Sequence, residues 1–348
     1  MTRVEMIPRI ELAPRYDIAR VIKGGWHLAG DHGRIDREQA IQEMGLFVEA
    51  GVTTFDCADI YSGVEELIGT FRARYPALAA RTQVHTKFVP NLSDLESVDD
   101  AYVERIVDRS LQRLRMQHLD LVQFHWWDYS VPGYVEAALA LERLRAKGKV
   151  AHIGLTNFDL PHLLEITAAG VRVTAHQLQY SLLDARAEGG MVETCLQQGI
   201  ALLCYGTVAG GFLSDRWLGR AEPDATPANR SLIKYKLIIE DFGGWALFQR
   251  LLGVLKSVAD RKGCDIASVA SRAMLDKPGV AAVIVGATSA AHLPANAALA
   301  EITLDADDYS AINAVTSLRT GPQGDVYTLE RDREGRHGRI MKYELSGR

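Results

Sequence analysis

Short apolar runs alternate along this chain with longer stretches whose apolar positions recur every three or four residues. The short runs cover residues 19–22, 53–56, 83–87, 119–124, 150–155, 173–179, 201–205 and 281–285. They are rich in Val, Ile and Leu and bounded by charge or glycine, the pattern of strands buried on both faces. The clearest helical stretch is 100–116, where Val103, Ile106, Val107, Leu111 and Leu114 share a face and Glu104, Arg105, Asp108 and Arg109 fall between them. Further helical patterns run over 37–50, 133–147, 160–169, 190–198, 244–261 and 290–299. Several end close to a glycine (Gly51, Gly148, Gly170, Gly199, Gly263), as a C-terminal cap requires.

Strand then helix, repeated about eight times, predicts a parallel sheet with helical crossovers. Eight repeats favour a closed (β/α)8 TIM barrel, one α/β domain over residues 1–348, rather than an open doubly wound sheet. Residues 8–17 are expected to add a hairpin plugging the barrel floor. Two stretches fit no repeat. Residues 206–243 read as a long loop insertion after the seventh strand, with Pro223, Pro227 and the pair Gly210-Gly211. Residues 318–348 read as a polar C-terminal tail. The mixed charge of 329–339 suits a solvated tail, with packing over the barrel mouth or against another subunit as the alternative.

Composition narrows the function classes. With 47% apolar and 24% charged residues, the 348-residue chain is neither disordered nor fibrous. Its net charge is −5 and it has no basic block, which argues against nucleic-acid and membrane-surface binding. No continuous apolar stretch is long enough to predict a bilayer span, and the start lacks an apolar signal core, so a cytoplasmic protein is expected. Cys57, Cys195, Cys204 and Cys264 form no C-x-x-C pair and read as reduced thiols.

In such barrels the site lies at the C-terminal ends of the strands. Strand two ends at Asp56, with Tyr61 five residues on; strand three ends at Lys87; strand four leads into His125 and Trp126. An ammonium beside a phenol stabilises the phenolate, and a carboxylate keeps the ammonium charged and placed. These four groups form a general acid–base set suited to moving a proton to or from an oxygen.

The residues that carry this chemistry also resemble the aldo-keto reductase family. Asp56-Cys57-Ala58-x-x-Tyr61 with Glu65-Glu66-Leu67-Ile68-Gly69 is similar to that family's D-T-A-x-x-Y and trailing E-x-x-x-G. Leu119 to His125, the glycine-led run from Gly148 to Phe158, Gln177 to Leu182 and Val283 to Ala287 resemble its further motifs, in the family's order, over roughly residues 17 to 300. The resemblance implies Tyr61 as general acid for carbonyl reduction, tuned by Lys87 and Asp56, with His125 orienting the substrate carbonyl. It implies that Thr156, Asn157 and Gln177 hold a nicotinamide carboxamide, that Tyr205 stacks on its ring, and that Asn296 lies near the adenine. Gly24, Gly25 and Trp26 match the loop beside cofactor and substrate. Gly286 and Thr288 match the stretch after strand eight. Trp26 and Trp126 would line the substrate pocket. The implied partner is a small carbonyl or alcohol, and the cofactor is NADP(H) rather than NAD(H).

Departures from the family pattern qualify these roles. Cys57 stands in place of Thr, and Gly25 in place of another Thr. Gly206 to Gly211 replaces S-P-L-G-G-G. Gly286 to Ser289 contains no Arg or Lys where the family often has one.

Three rivals remain in view. A metal-dependent hydrolase would draw on His85, His125, His152 and His176, but strand one has no His and strand eight no Asp, so no metal is expected. A non-enzymatic nicotinamide-binding regulatory subunit would keep the same barrel. A Schiff-base aldolase on Lys87 is disfavoured by Asp56, which keeps the amine charged.

The missing cation yields a first prediction. Hydroxyls without a positive charge bind a 2′-phosphate weakly, so preference for the phosphorylated cofactor should stay below about a thousandfold, or roughly 4 kcal/mol. Titrations with NADPH and NADH measure it, and a larger preference would contradict it.

Overall fold

In a computed structural model, which describes residues 7–29, 35–223, 229–286, 290–299 and 301–343, the chain enters through a short antiparallel hairpin. Its arms are β1 (Arg9–Ala13) and β2 (Tyr16–Ala19). Eight strands then close into a parallel barrel: β3 (Val21–Gly24), β4 (Thr54–Asp56), β5 (Gln83–Phe88), β6 (Leu119–Phe124), β7 (Val150–Thr156), β8 (Val173–Gln179), β9 (Ala201–Tyr205) and β10 (Val280–Gly286). The ring closes where β10 pairs with β3, Gly286 opposite Gly24. This is the (β/α)8 barrel that the alternation predicts.

Seven strands lie within a residue or so of their apolar runs; the first barrel strand starts two residues late. Ala19 belongs to β2, where it pairs with Arg9. Ile18 and Ala19 on one side of Arg20 and Val21 and Ile22 on the other are all buried, so hydropathy reads them as a single apolar run with one charged residue inside it. At the junction the Arg20 guanidinium donates to the carbonyls of Leu275, Val280 and Ala281.

The hairpin does plug the floor. Ile10, Leu12 and Tyr16 pack on a cluster of inward side chains that includes Ile22, Leu121, Ala175 and Leu203. The Tyr16 hydroxyl lies 2.9 Å from His85 Nε2, and its ring stacks on His152 at 4.3 Å. Two of the strand histidines are thereby engaged by one tyrosine of the hairpin.

Helices cover the outside: α1 (Arg37–Glu49), α2 (Val64–Arg74), α3 (Pro76–Ala79), α4 (Asp100–Leu114), α5 (Tyr134–Ala146), α6 (Leu160–Ala168) and α7 (Met191–Gln198). Asp99 caps α4 by accepting from the Tyr102 amide, and Val103, Ile106, Val107 and Leu114 are its buried stripe. Residues 206–243 are not loop throughout, because α8 (Arg230–Phe242) forms within them, capped by Asn229. Then follow α9 (Gly244–Lys262), α10 (Ile266–Leu275), α11 (Leu293–Ala298), α12 (Ala306–Thr316) and α13 (Thr328–Arg331). Helix α10 escapes periodicity because its small residues are buried nearly all round, Ser268, Ala270, Ser271 and Ala273 included.

The described part of the polar tail, residues 318–343, folds back on the protein, although Asp332, Arg333, Glu334, Arg336 and Arg339 stay exposed. Val326, Tyr327, Glu330 and His337 are buried, so the packed alternative holds. Its charges find partners far along the chain: Glu330 pairs with Arg186, and Arg336 and His337 both reach Asp241. Sequence displays the charges but not these pairings.

Helices α2 and α4 touch backbone to backbone. A Cβ on Gly69 would lie 2.0 Å from the Arg113 carbonyl oxygen, closer than any real contact. The same Arg113 donates to the Asp59 carbonyl at 3.1 Å and pairs with Glu66 at 3.0 Å, so the contact also braces the turn carrying Tyr61. Gly69→Ala should therefore cost about 1–3 kcal/mol by overpacking. Denaturant unfolding measures this, and an unchanged midpoint would refute the close approach.

Candidate active site

Asp56 ends β4 and accepts from three side chains on three other strands. Lys87 on β5 donates to Oδ2 at 2.6 Å, while Gln123 on β6 and Gln177 on β8 donate to Oδ1 at 2.9 and 2.6 Å. Lys87 Nζ also donates to the Cys57 carbonyl at 2.8 Å. Burial pulls the Lys87 ammonium down, but Asp56, with Tyr61, outweighs it and holds the group above the ordinary lysine range.

Tyr61 sits on the turn between β4 and α2, its ring centroid 5.1 Å from Lys87 Nζ. Burial pushes the phenol up and Lys87 only partly pulls it back, so the net shift is upward. The expected lowering by Lys87 is present in sign but is outweighed by loss of water. Trp26, on the turn after β3, meets Tyr61 edge-on at 5.0 Å, and its indole donates to Ser231 Oγ on α8 at 3.2 Å. Gly25 explains its own departure from the family pattern. Its amide donates to the Asp56 carbonyl at 2.7 Å, and a Cβ there would lie 2.7 Å from that same oxygen.

His125 follows β6. Its Nδ1 lies 3.1 Å from the Thr156 carbonyl, an acceptor only, so Nδ1 carries the hydrogen. Burial, then the nearby Arg331 charge, hold the imidazole down to about 3, hence neutral. Nε2 is buried with no partner among the described residues, and its lone pair is free to accept.

On the far side Asn157 takes a left-handed backbone (φ 62°), which Asn tolerates. Its amide N–H donates to the Gln177 carbonyl, and its Oδ1 accepts from the Tyr205 hydroxyl at 2.8 Å. Gly24 and Gly286 lie at the ends of paired strands. Asn296, on α11, has a buried Nδ2 without a partner among the described residues. Thr288 lies outside the described residues.

Trp126 does not line a pocket. It is wholly buried, donates to the carbonyls of Asp128 and Val131, and packs edge-on against Phe124. It is a packed rim aromatic. The neighbouring Trp127 meets His125 edge-on at 4.3 Å, its indole donating to the Pro90 carbonyl. Strand-like alternation past the end of β6 separates the two.

Sequence reading also missed what closes the mouth. Tyr327, itself left-handed (φ 62°), sets its ring edge-on to His125 at 5.6 Å. Arg331 donates to the carbonyls of Asn157 and Trp126, each at 2.8 Å. Lys234 on α8 places Nζ 5.1 Å from the Tyr205 ring and 5.5 Å from the Tyr327 ring. Glu330 takes two hydrogen bonds from Arg186, at 2.9 and 3.0 Å, and Arg186 also binds Asp184. Only long-range contacts create this layer, so no local motif signals it.

The Asp–Lys pair beneath a tyrosine, with a neutral histidine across the rim, is an arrangement that can move a proton to or from an oxygen. The Aldo/keto reductase family model matches residues 20–317, and the chain belongs to that family. It is 29% identical to flagellar radial spoke protein 5 of Chlamydomonas reinhardtii over 63% of this chain, a match that spans about half of that protein (49%). It is 25% identical to the NADH-specific methylglyoxal reductase of Escherichia coli over 83% of this chain and 92% of that protein. Its fold matches the glycerol dehydrogenase of Gluconobacter oxydans with a TM-score of 0.76 at 21% identity, covering 93% and 98% of the two chains. No helix among the described residues is long and apolar enough to cross a membrane.

The Glu330 cluster makes a pH prediction. Burial would raise this carboxyl, but Arg186 and Lys234 overcome it and hold it down to about 2. A depressed carboxylate stabilises the fold fully above its unfolded value near 4.5 and progressively less as pH falls towards 2. Glu330→Gln should cost about 3–5 kcal/mol at neutral pH, as breaking a buried pair does. It should also flatten the stability loss across that acid window. Unfolding measured at several pH values tests both.

Proposed function

We propose that this protein is a nicotinamide-dependent oxidoreductase that interconverts an aldehyde or ketone with the corresponding alcohol. Family membership supports an oxidoreductase. The observation that carries the reading further is the Lys87–Asp56 pair, buried on both sides and set under the Tyr61 ring.

The donor set fits a nicotinamide cofactor. The Tyr205 phenol and the Asn157 amide are locked together at the rim, and the orphaned Asn296 Nδ2 has a hydrogen to give. Thr156, Asn157 and Gln177 would hold the carboxamide, Tyr205 would face the ring, and Gly24, Gly25, Trp26 and Gly286 would border it. A bound nicotinamide supplies hydride, and the protein supplies orientation and the proton. NADP(H) is the favoured form, with the modest preference predicted above.

Tyr61 donates its proton to the carbonyl oxygen. Burial keeps the phenol protonated until that moment, and Lys87, held charged by Asp56, stabilises the phenolate left behind. His125 Nε2 is an acceptor in this state. It can therefore take a hydrogen bond from the product hydroxyl once Tyr61 has given up its proton, and that same hydrogen returns to the Tyr61 phenolate in the oxidation direction. The set serves both directions by reversing which oxygen carries the proton. Trp26 and Trp127 flank the space above.

A second reading, a non-catalytic nicotinamide-binding subunit, is favoured by the similarity to a protein named as a radial spoke component. Binding without turnover across an aldehyde panel would select it.

Tyr61→Phe removes the proton donor and keeps the ring. Acid–base catalysis contributes about 10²–10⁴-fold, so kcat should fall by that order. Cofactor affinity, read by fluorescence, should hold, because Asn157, Gln177 and Tyr205 are untouched. Lys87→Met should also slow turnover. If Tyr61→Phe keeps more than about a tenth of wild-type kcat while chemistry limits the rate, Tyr61 is not the donor.

A further inference from the structure

The mouth of the site contains a cation that the acid–base chemistry does not use. Lys234 projects from α8, the helix within the insertion after β9. Its ammonium lies 5.1 Å from the Tyr205 ring centroid, 5.5 Å from Tyr327 and 5.9 Å from Tyr235. Only 14% of its side chain is exposed. Three aromatic faces attract an ammonium but accept no conventional hydrogen bond from it.

The Lys234 ammonium forms an ion pair with Glu330, a carboxylate that Arg186 also holds. Glu330 receives both terminal nitrogens of Arg186, and the Lys234 ammonium stands 3.8 Å from Glu330, beyond hydrogen-bond length. Arg331, the other cation over the mouth, spends its terminal nitrogens on two backbone carbonyls, and its Nε is buried without a partner among the described residues. A buried ammonium left short of hydrogen-bond acceptors gains from a further one.

Its place in the site says what that acceptor would be. Tyr205 marks where the nicotinamide would stack, and Tyr327 stands edge-on to His125. Lys234 is thus one aromatic ring from His125, within reach of the far end of a short substrate whose reacting carbon lies at the acid–base set. A neutral carbonyl compound gains nothing from it. An anionic group there would add the direct charge-assisted hydrogen bond that the Glu330 ion pair, at 3.8 Å, does not supply.

We propose that Lys234 is a specificity-determining residue, and that the substrate is a short aldehyde or ketone with a carboxylate or another anionic group a few carbons from its carbonyl. This rests on the carbonyl–alcohol reading above. It is carried by the position of an ammonium that lies between the Tyr205 and Tyr327 rings and whose ion pair with Glu330, at 3.8 Å, is longer than a hydrogen bond.

The test compares matched pairs of substrates: succinic semialdehyde with butanal, and 4-carboxybenzaldehyde with 4-methylbenzaldehyde. Wild-type kcat/KM should favour the charged member of each pair. In Lys234→Met the charged-to-uncharged ratio should fall about 10–100-fold, chiefly through KM for the anion, as loss of one hydrogen bond to a charged group predicts. Lys234→Arg keeps the charge and should retain part of the preference. An equal wild-type response to both members, or a ratio that Lys234→Met leaves unmoved, overturns the proposal. Reduction of none of the four aldehydes would instead count against the carbonyl–alcohol reading. Calorimetric binding of butanoate then decides the anion site by itself: binding that Lys234→Met abolishes supports it, and no binding to wild type refutes it.

Discussion

Asp56 is the carboxylate on which the rim is organised. A buried carboxylate must be satisfied on both oxygens, and here the donors come from β5, β6 and β8, three separate strands. That geometry fixes how far each strand must run before its polar residue appears, and so fixes the barrel's register at its working end. Lys87 depends on Asp56 for its charge, and Tyr61 faces Lys87. Gly25 donates its amide to the Asp56 carbonyl, which leaves no room for a side chain there. Replacing Asp56 would therefore disturb four strand ends at once, with its costs spread well beyond the lost ion pair.

The barrel interior is otherwise kept nearly free of charge. His85, which meets Tyr16 at the floor, is held down to about 4, and His125 and His176 to about 3, burial being the leading cause in each. His176 accepts from the Phe158 amide and is not part of the rim. Neutral imidazoles leave the Lys87–Asp56 pair as the dominant field at the reacting centre, in surroundings that weaken it little.

Much of this was legible in the residues. Eight short apolar runs separated by helical patterns dictate a closed parallel barrel, and strand ends in such a barrel converge, so Asp56, Lys87 and His125 could be placed together before any coordinates. The β2–β3 junction was not legible, because buried apolar residues flank Arg20 on both sides and the single charge does not by itself mark a strand end. Nor was the choice between Trp126 and Trp127, which turns on alternation just past a strand end where the period is no longer guaranteed. Helix α10 hid behind small buried residues. The mouth was hardest. Lys234, Tyr327, Glu330 and Arg331 look like ordinary surface residues until the tail folds back, and nothing near them in sequence announces their partners.

That fold-back has a consequence in time. Arg331 is 174 residues beyond Asn157, whose carbonyl it grips, and 205 beyond Trp126. During synthesis at about 5–20 residues per second, β6 and β7 leave the ribosome roughly 10–40 seconds before the residues that roof them. The barrel can therefore assemble around an uncovered cleft, and its roof arrives as a separate late event.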